Sequence, residues 1–102
     1  MTKRLQLTIY VDASEMKDEM PLYEFIVLRL LHQHIAGATA IRGVMGFGRH
    51  QQLHRKRLFG VSDDPPIVII AVDEEDRIRP VLAEIRALLP QELMTLHEVE
   101  VL

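Results

Sequence analysis

The sequence predicts an α+β fold in which a four-stranded antiparallel sheet carries two helices on one face, in the order β-α-β-β-α-β. Three observations carry this expectation. Leu5, Leu7, Ile9 and Val11 alternate with Gln6, Thr8 and Tyr10, the period of a strand with one face in a core. Ile67 to Val72 is continuously apolar, the pattern of a strand buried on both faces. Ile78, Val81, Leu82, Ile85, Leu88 and Leu89 recur at helical spacing. With 102 residues, 48% of them hydrophobic, the chain has room for one domain spanning 1–102. A domain of this size buries roughly two-thirds of its unfolded surface.

The elements follow in order. The first strand covers residues 5–11, and the polar, acidic residues 12–20 read as a connection. Pro21 suits a helix start, because its fixed φ is helical and it has no N–H to leave unpaired. The first helix is expected from Leu22 to Ala36, with Gly37 as its C-terminal stop. Its apolar residues (Leu22, Phe25, Ile26, Val27, Leu28, Leu30, Leu31, Ile35) cover more than one stripe, and a surface helix needs only one. A second strand is expected over Ala40 to Phe47, studded with Gly43, Gly46 and Gly48. Residues 49–64 form a polar loop in which Arg49, His50, His54, Arg55, Lys56 and Arg57 concentrate. Asp73, with Asp76 three residues on, reads as the N-cap of the second helix. Pro80 is expected to loosen that helix's first turns, and Pro90 to end it. The last strand runs from about Met94 to Val101. This is the split βαβ, or ferredoxin-like, order. It leaves one sheet face bare in a single chain. A third strand apolar on both sides and a first helix with surplus apolar surface together predict self-association.

Composition excludes several classes. The formal charge of −3, from 12 basic and 15 acidic residues, argues against a basic nucleic-acid arm or a polybasic membrane anchor. None of the five aromatics interleaves with the basic run, so no nucleic-acid partner is expected. The absence of cysteine excludes a disulfide scaffold, a thiolate zinc site and a cysteine nucleophile, and fits a cytoplasmic location. The densest apolar stretch, Leu22 to Leu31, is broken by Glu24 and Arg29, so no membrane insertion is expected. Met1-Thr2-Lys3-Arg4 is followed by alternation rather than an apolar core, so no signal peptide is read. Enzymatic activity is not expected. Ser14 and Ser62 lack a nucleophile-elbow context. The carboxylates Asp12, Glu15, Asp18, Glu19 and Asp73 to Asp76 read as loop and helix-start residues that serve solubility and the macrodipole.

The most distinctive stretch is Gly37-Ala38-Thr39-Ala40-Ile41-Arg42-Gly43-Val44-Met45-Gly46-Phe47-Gly48-Arg49-His50. It resembles the GAT-x-x-RG-x-x-GFG signature of the bacterial and archaeal domain-of-unknown-function family 190. Pro21-Leu22-Tyr23-Glu24, Leu53-His54, Pro66 and Val99-Glu100-Val101 match in order, so the resemblance covers nearly the whole chain. It implies membership of the PII-like superfamily, whose ferredoxin-like subunits form trimers with small ligands in clefts between subunits. Gly46-Phe47-Gly48-Arg49 also resembles the GFGR segment of nitrogen-regulatory PII proteins, which lies against a nucleotide at the base of a flexible loop. The chemistry fits: glycines let a ligand approach the backbone, successive N–H groups form an anion nest, and an arginine supplies a forked donor for phosphate. The resemblance implies Gly46, Phe47, Gly48 and Arg49 as the ligand edge, assisted by Arg42, Gly43 and the basic loop. It implies a signalling role, with a membrane transporter or fluoride channel as the regulated partner.

The chain also departs from the PII pattern. His50-Gln51-Gln52 follow where PII proteins continue Gln-Lys-Gly, and the Thr39-to-Gly46 stretch is one residue longer. Leu89-Pro90-Gln91-Glu92-Leu93 stands where PII proteins carry a glycine- and lysine-rich phosphate loop. Gly43, Gly46 and Gly48 equally fit a bulge and close strand packing. Five histidines raise a metal alternative. His32 and His34 diverge on a helix, His97 lies far off, and His50 and His54 remain weak candidates against the three or four convergent ligands zinc requires. The alternative reading is a trimer like the divalent-cation tolerance protein CutA, metal-responsive or purely structural, without nucleotide binding.

Overall fold

The computed structural model describes residues 3–47, 54–55 and 64–102. Among the described residues, eight strands and two helices follow in the order β1 (Arg4–Asp12), β2 (Met16–Lys17), β3 (Met20–Pro21), α1 (Leu22–His32), β4 (Gly37–Arg42), β5 (Met45–Gly46), β6 (His54–Arg55), β7 (Pro66–Glu74), α2 (Glu75–Leu88) and β8 (Leu93–Val99). Four of them form an antiparallel sheet in the order β4-β7-β1-β8. With the short hairpin strands set aside, this is the ferredoxin-like βαββαβ fold, with both helices on one face.

The alternation in β1 sets the faces. Leu5, Leu7, Ile9 and Val11 are buried under the helices, and register places Ile67, Ile69 and Ala71 of β7 beside them. From α1 the residues Leu22, Ile26 and Leu30 complete this core, one turn apart in sequence. From α2, Ile78, Val81 and Ile85 do the same. Tyr23, Phe25 and Val27 pack against the core part-buried, so most of the surplus apolar surface of α1 is absorbed within the chain. Leu31 stays 63% exposed. Arg29 of α1 pairs with Glu84 of α2 and ties the two helices together.

No other described element covers the opposite sheet face, which is bare among the described residues. Register builds three rows across it: Gly37–Val72–Gln6–His97, Thr39–Ile70–Thr8–Thr95 and Ile41–Val68–Tyr10–Leu93. Val68, Ile70 and Val72 are half-buried there, while Ile41, Tyr10 and Leu93 are exposed. The continuous apolar run of β7 therefore packs on one face and lies open on the other.

Several boundaries differ from the sequence expectation. α1 stops at His32, not Ala36, because His34 adopts φ 58°. The His34 N–H reaches the Leu31 carbonyl at 3.0 Å and the Ile35 N–H reaches that of Leu30 at 3.2 Å. This is a Schellman stop with apolar Ile35 set near Leu30, and it leaves Gly37 to open β4. Asp73 does not cap α2: β7 runs on to Glu74, which is the N-cap residue and makes no side-chain cap bond. Buried Asp73 instead accepts from the N–H groups of Ala36 (2.9 Å) and Glu74 (2.6 Å) and from Arg77 Nε (3.2 Å). Arg77 Nη2 donates to the carbonyls of Gln33 and His34. The start of α2 thus holds the end of α1. Pro80 sits inside α2, which remains continuous over Glu75–Leu88. The last strand ends at Val99, two residues early.

Within the acidic connection, β2 and β3 pair around a two-residue turn. Its central residues Asp18 and Glu19 have φ 50° and 67°, the signs of a primed hairpin turn, which asparagine and glycine signal more strongly. The expected second strand is broken at Gly43–Val44 into β4 and β5, and β5 leaves the main sheet to pair with β6.

Candidate functional site

The expected ligand edge starts where β4 leaves the sheet. Arg42 still opposes Ile67 of β7, and the Gly43 N–H donates to the Pro66 carbonyl at 2.7 Å. A Cβ on Gly43 would lie 2.7 Å from Pro66 Cγ, and one on Gly46 would lie 3.2 Å from it. Both glycines therefore let the chain fold tightly around the Pro66 ring as it turns out of the sheet. Beyond them Val44 is 83% exposed and Phe47 70% exposed. Arg42 is exposed, with no hydrogen bond or ion pair to another described residue. Gly48, Arg49 and His50 lie outside the described residues, as do Lys56, Arg57 and the side chains of His54 and Arg55. The backbone of His54 opposes Gly46 in the β5–β6 pair. Of the six residues expected at the ligand edge, the structure brings Arg42, Gly43, Gly46 and Phe47 to one corner of the sheet.

That end of the sheet also gathers acidic residues. The β1–β2 turn is held there by bonds from the Ala13 N–H to the Pro65 carbonyl (3.0 Å) and from the Ser14 N–H to Asp64 Oδ1 (2.8 Å). The Asp12 N–H donates to Glu15 Oε1 at 3.3 Å, and the Glu15 carbonyl accepts from Leu22 at 2.7 Å. Partial burial raises the Glu15 carboxyl above its ordinary value, and the facing Glu92 carboxylate raises it further. Glu92 belongs to the segment between α2 and β8. The place where PII proteins carry lysine and glycine here presents a carboxylate to another carboxylate.

Sequence reasoning missed the Glu15–Glu92 meeting. Both acids are visible, but their sequence separation hides that β1 and β8 are neighbours whose connections end side by side. His32 ends α1, His34 forms its stop, and His97 lies on the bare face of β8. Among the described residues no three metal-ligating side chains converge.

The family model of DUF190, described as an uncharacterized ACR, matches residues 4–101. The chain belongs to the DUF190 family. A UPF0166 protein of Aquifex aeolicus (strain VF5) is 29% identical over 102 residues, all of this chain and 96% of that protein. Among solved structures, the nitrogen regulatory PII-like protein CPII from Thiomonas intermedia K12, bound to ADP, AMP and bicarbonate, is similar at a TM-score of 0.72 and 22% identity. The match covers 96% of this chain and 87% of CPII. The divalent ion tolerance protein CutA1 from Ehrlichia chaffeensis is similar at a TM-score of 0.64 and 13% identity, over 100% of this chain and 86% of CutA1. This DUF190 chain thus has the fold of PII-like and CutA1 proteins. No helix among its described residues is long and apolar enough to cross a membrane.

Proposed function

We propose that this DUF190 chain is a single-domain PII-like regulatory protein over 1–102. It assembles as a trimer, binds a small anionic ligand of nucleotide type at its subunit interfaces, and so modulates a partner. The observation that carries the reading is the corner at the end of β4. There Gly43 and Gly46 clear the backbone around Pro66 and leave Arg42 and Phe47 exposed, in a fold shared with a protein solved with ADP and AMP. Gly46, Phe47, Gly48 and Arg49 form the ligand edge, with Arg42 and the basic loop as counter-charge. The bare sheet face supplies the assembly surface, because no other described element covers its Ile41, Val68, Ile70, Val72 and Leu93. The role is regulatory and cytoplasmic rather than catalytic, and its resemblance to family 190 makes a membrane transporter or fluoride channel the regulated partner.

A thermal-shift screen of the purified protein against adenine and guanine nucleotides, divalent metals and fluoride tests the reading. A ligand present at about 100 times its Kd stabilises by about 2.7 kcal/mol. A nucleotide is expected to raise Tm in the wild type but not in Arg49→Ala, whose unliganded Tm stays the same. Equal affinity in Arg49→Ala would remove the proposed edge. A response to metal alone would move the function to the CutA-like alternative and to His50 and His54.

A further inference from the structure

α2 packs over β1 and β7 and stops short of β8. The helix-side face of β8 is left partly uncovered, with Met94 and Leu96 half-buried. A groove of about 330 Å³ runs between the two elements, at the small end of ligand-sized cavities. Leu7, Met94 and Leu96 contribute from the sheet, and Leu82 and Ala83 from the helix. Arg79 and Arg86 line it too, seven residues and so two turns apart on the same helix face. No carboxylate lines the groove.

The two arginines differ. Arg79 Nε donates to Glu75 Oε2 at 2.7 Å, so its charge is matched. Arg86 donates through Nη1 to the carbonyls of Leu89 (3.1 Å) and Pro90 (3.0 Å) and pairs with no acid among the described residues. One end of an aliphatic groove therefore carries a guanidinium with spare donors and no neutralising carboxylate.

We propose that the groove between α2 and β8 binds a small aliphatic carboxylate, its chain along Leu82, Met94 and Leu96 and its head group on Arg86. Charge and lining select this occupant. Arg86 calls for an anion, and a forked guanidinium matches a carboxylate. The lining holds no aromatic side chain to stack a base and no amide to read one. Thr95 borders the groove between Met94 and Leu96, while its side chain belongs to the opposite face of β8. The site lies on the helix side of the sheet, opposite the bare face and away from the β4 corner, so it stays open if the chain assembles through that face.

The test titrates the full chain with decanoate below its micelle concentration, followed by calorimetry and by amide chemical shifts, with decylamine and AMP as comparison ligands. Decanoate is expected to bind and to shift amides of α2 and β8. Decylamine and AMP leave those amides unmoved. Arg86→Gln weakens decanoate binding about tenfold, the value of one charge-assisted hydrogen bond. Arg86 also holds the end of α2, so a second variant guards against a folding effect: Ala83 is exposed, and Ala83→Trp fills the groove, abolishes binding and leaves the fold intact. Failure of decanoate to bind, equal affinity in both variants, or equal binding of decylamine overturns the proposal. AMP shifting the β4 corner but not the groove would leave the nucleotide reading standing while decanoate alone decides this one.

Discussion

At the scale of single residues, Gly43 shows why a glycine signature need not mean ligand contact alone. Its missing side chain is required by Pro66, whose Cγ would lie 2.7 Å from an added Cβ and whose carbonyl oxygen would lie 3.3 Å from it. Neither the ring, fixed in φ, nor the carbonyl, bonded to the Gly43 N–H, can yield cheaply. Gly43→Ala is expected to destabilise by about 1–3 kcal/mol, the usual cost of overpacking, read as a lower urea midpoint with an unchanged m-value. An unchanged midpoint would show that the corner is loose enough to shift. His34 makes the complementary point. A helix stop usually filled by glycine is here taken by histidine at φ 58°, because the paired carbonyls of Leu30 and Leu31 and the Arg77 bonds hold it there.

At the scale of elements, the joining segments hold opposite ends of the sheet by different chemistry. At one end Asp73 and Arg77 bond the α1–β4 connection to α2 with matched charges. At the other, Glu15 of the β1–β2 turn faces Glu92 of the α2–β8 segment, acid against acid. The Glu15 carboxyl titrates above 4.5, its ordinary value, because burial and Glu92 both disfavour the charge. The folded protein therefore holds a proton more tightly than the unfolded chain, so this contact's contribution to stability is greatest at low pH and is lost as pH rises through the raised value. Glu92→Gln removes the repulsion. It is expected to stabilise the protein near neutral pH and to lose that advantage below about pH 4.5, in urea titrations at pH 4 and 7. An advantage that persists unchanged at pH 4 would mean that the two carboxylates do not interact.

At the scale of the whole molecule, the sheet has one face that the helices cover and one that no other described element covers. The row Ile41–Val68–Tyr10–Leu93 crosses all four strands of the bare face. Ile41 and Leu93 are 47% and 53% exposed, so changing them costs the single chain little. If the bare face is the assembly surface, the double variant Ile41→Arg, Leu93→Arg stays folded by circular dichroism and sediments as a single chain, whereas the wild type sediments as a trimer. An unchanged mass in the variant would place assembly on another surface.

Apolar patterning alone determined β1, β7 and α2, because each has to bury one face and that need is written in the spacing of its apolar residues. The period of two in β1 and the 3.6-residue period in α2 are local signals that packing had only to accept. The family was equally legible, since Gly37 to His50 is a contiguous motif. What tertiary structure decided lies where local preference yields to a neighbour distant in sequence. α1 ends early because Arg77 from α2 and Asp73 from the end of β7 hold the residues just past it, and nothing near His34 announces it. The second strand breaks at Gly43 because the Pro66 ring, 23 residues on, occupies the space its side chains would need. Glu15 meets Glu92, and the α2–β8 groove opens, because the sheet order sets β8 beside β1 while α2 rests on β1 and β7. Sequence states which residues must be buried; only the fold states which of them face one another and which are left facing water.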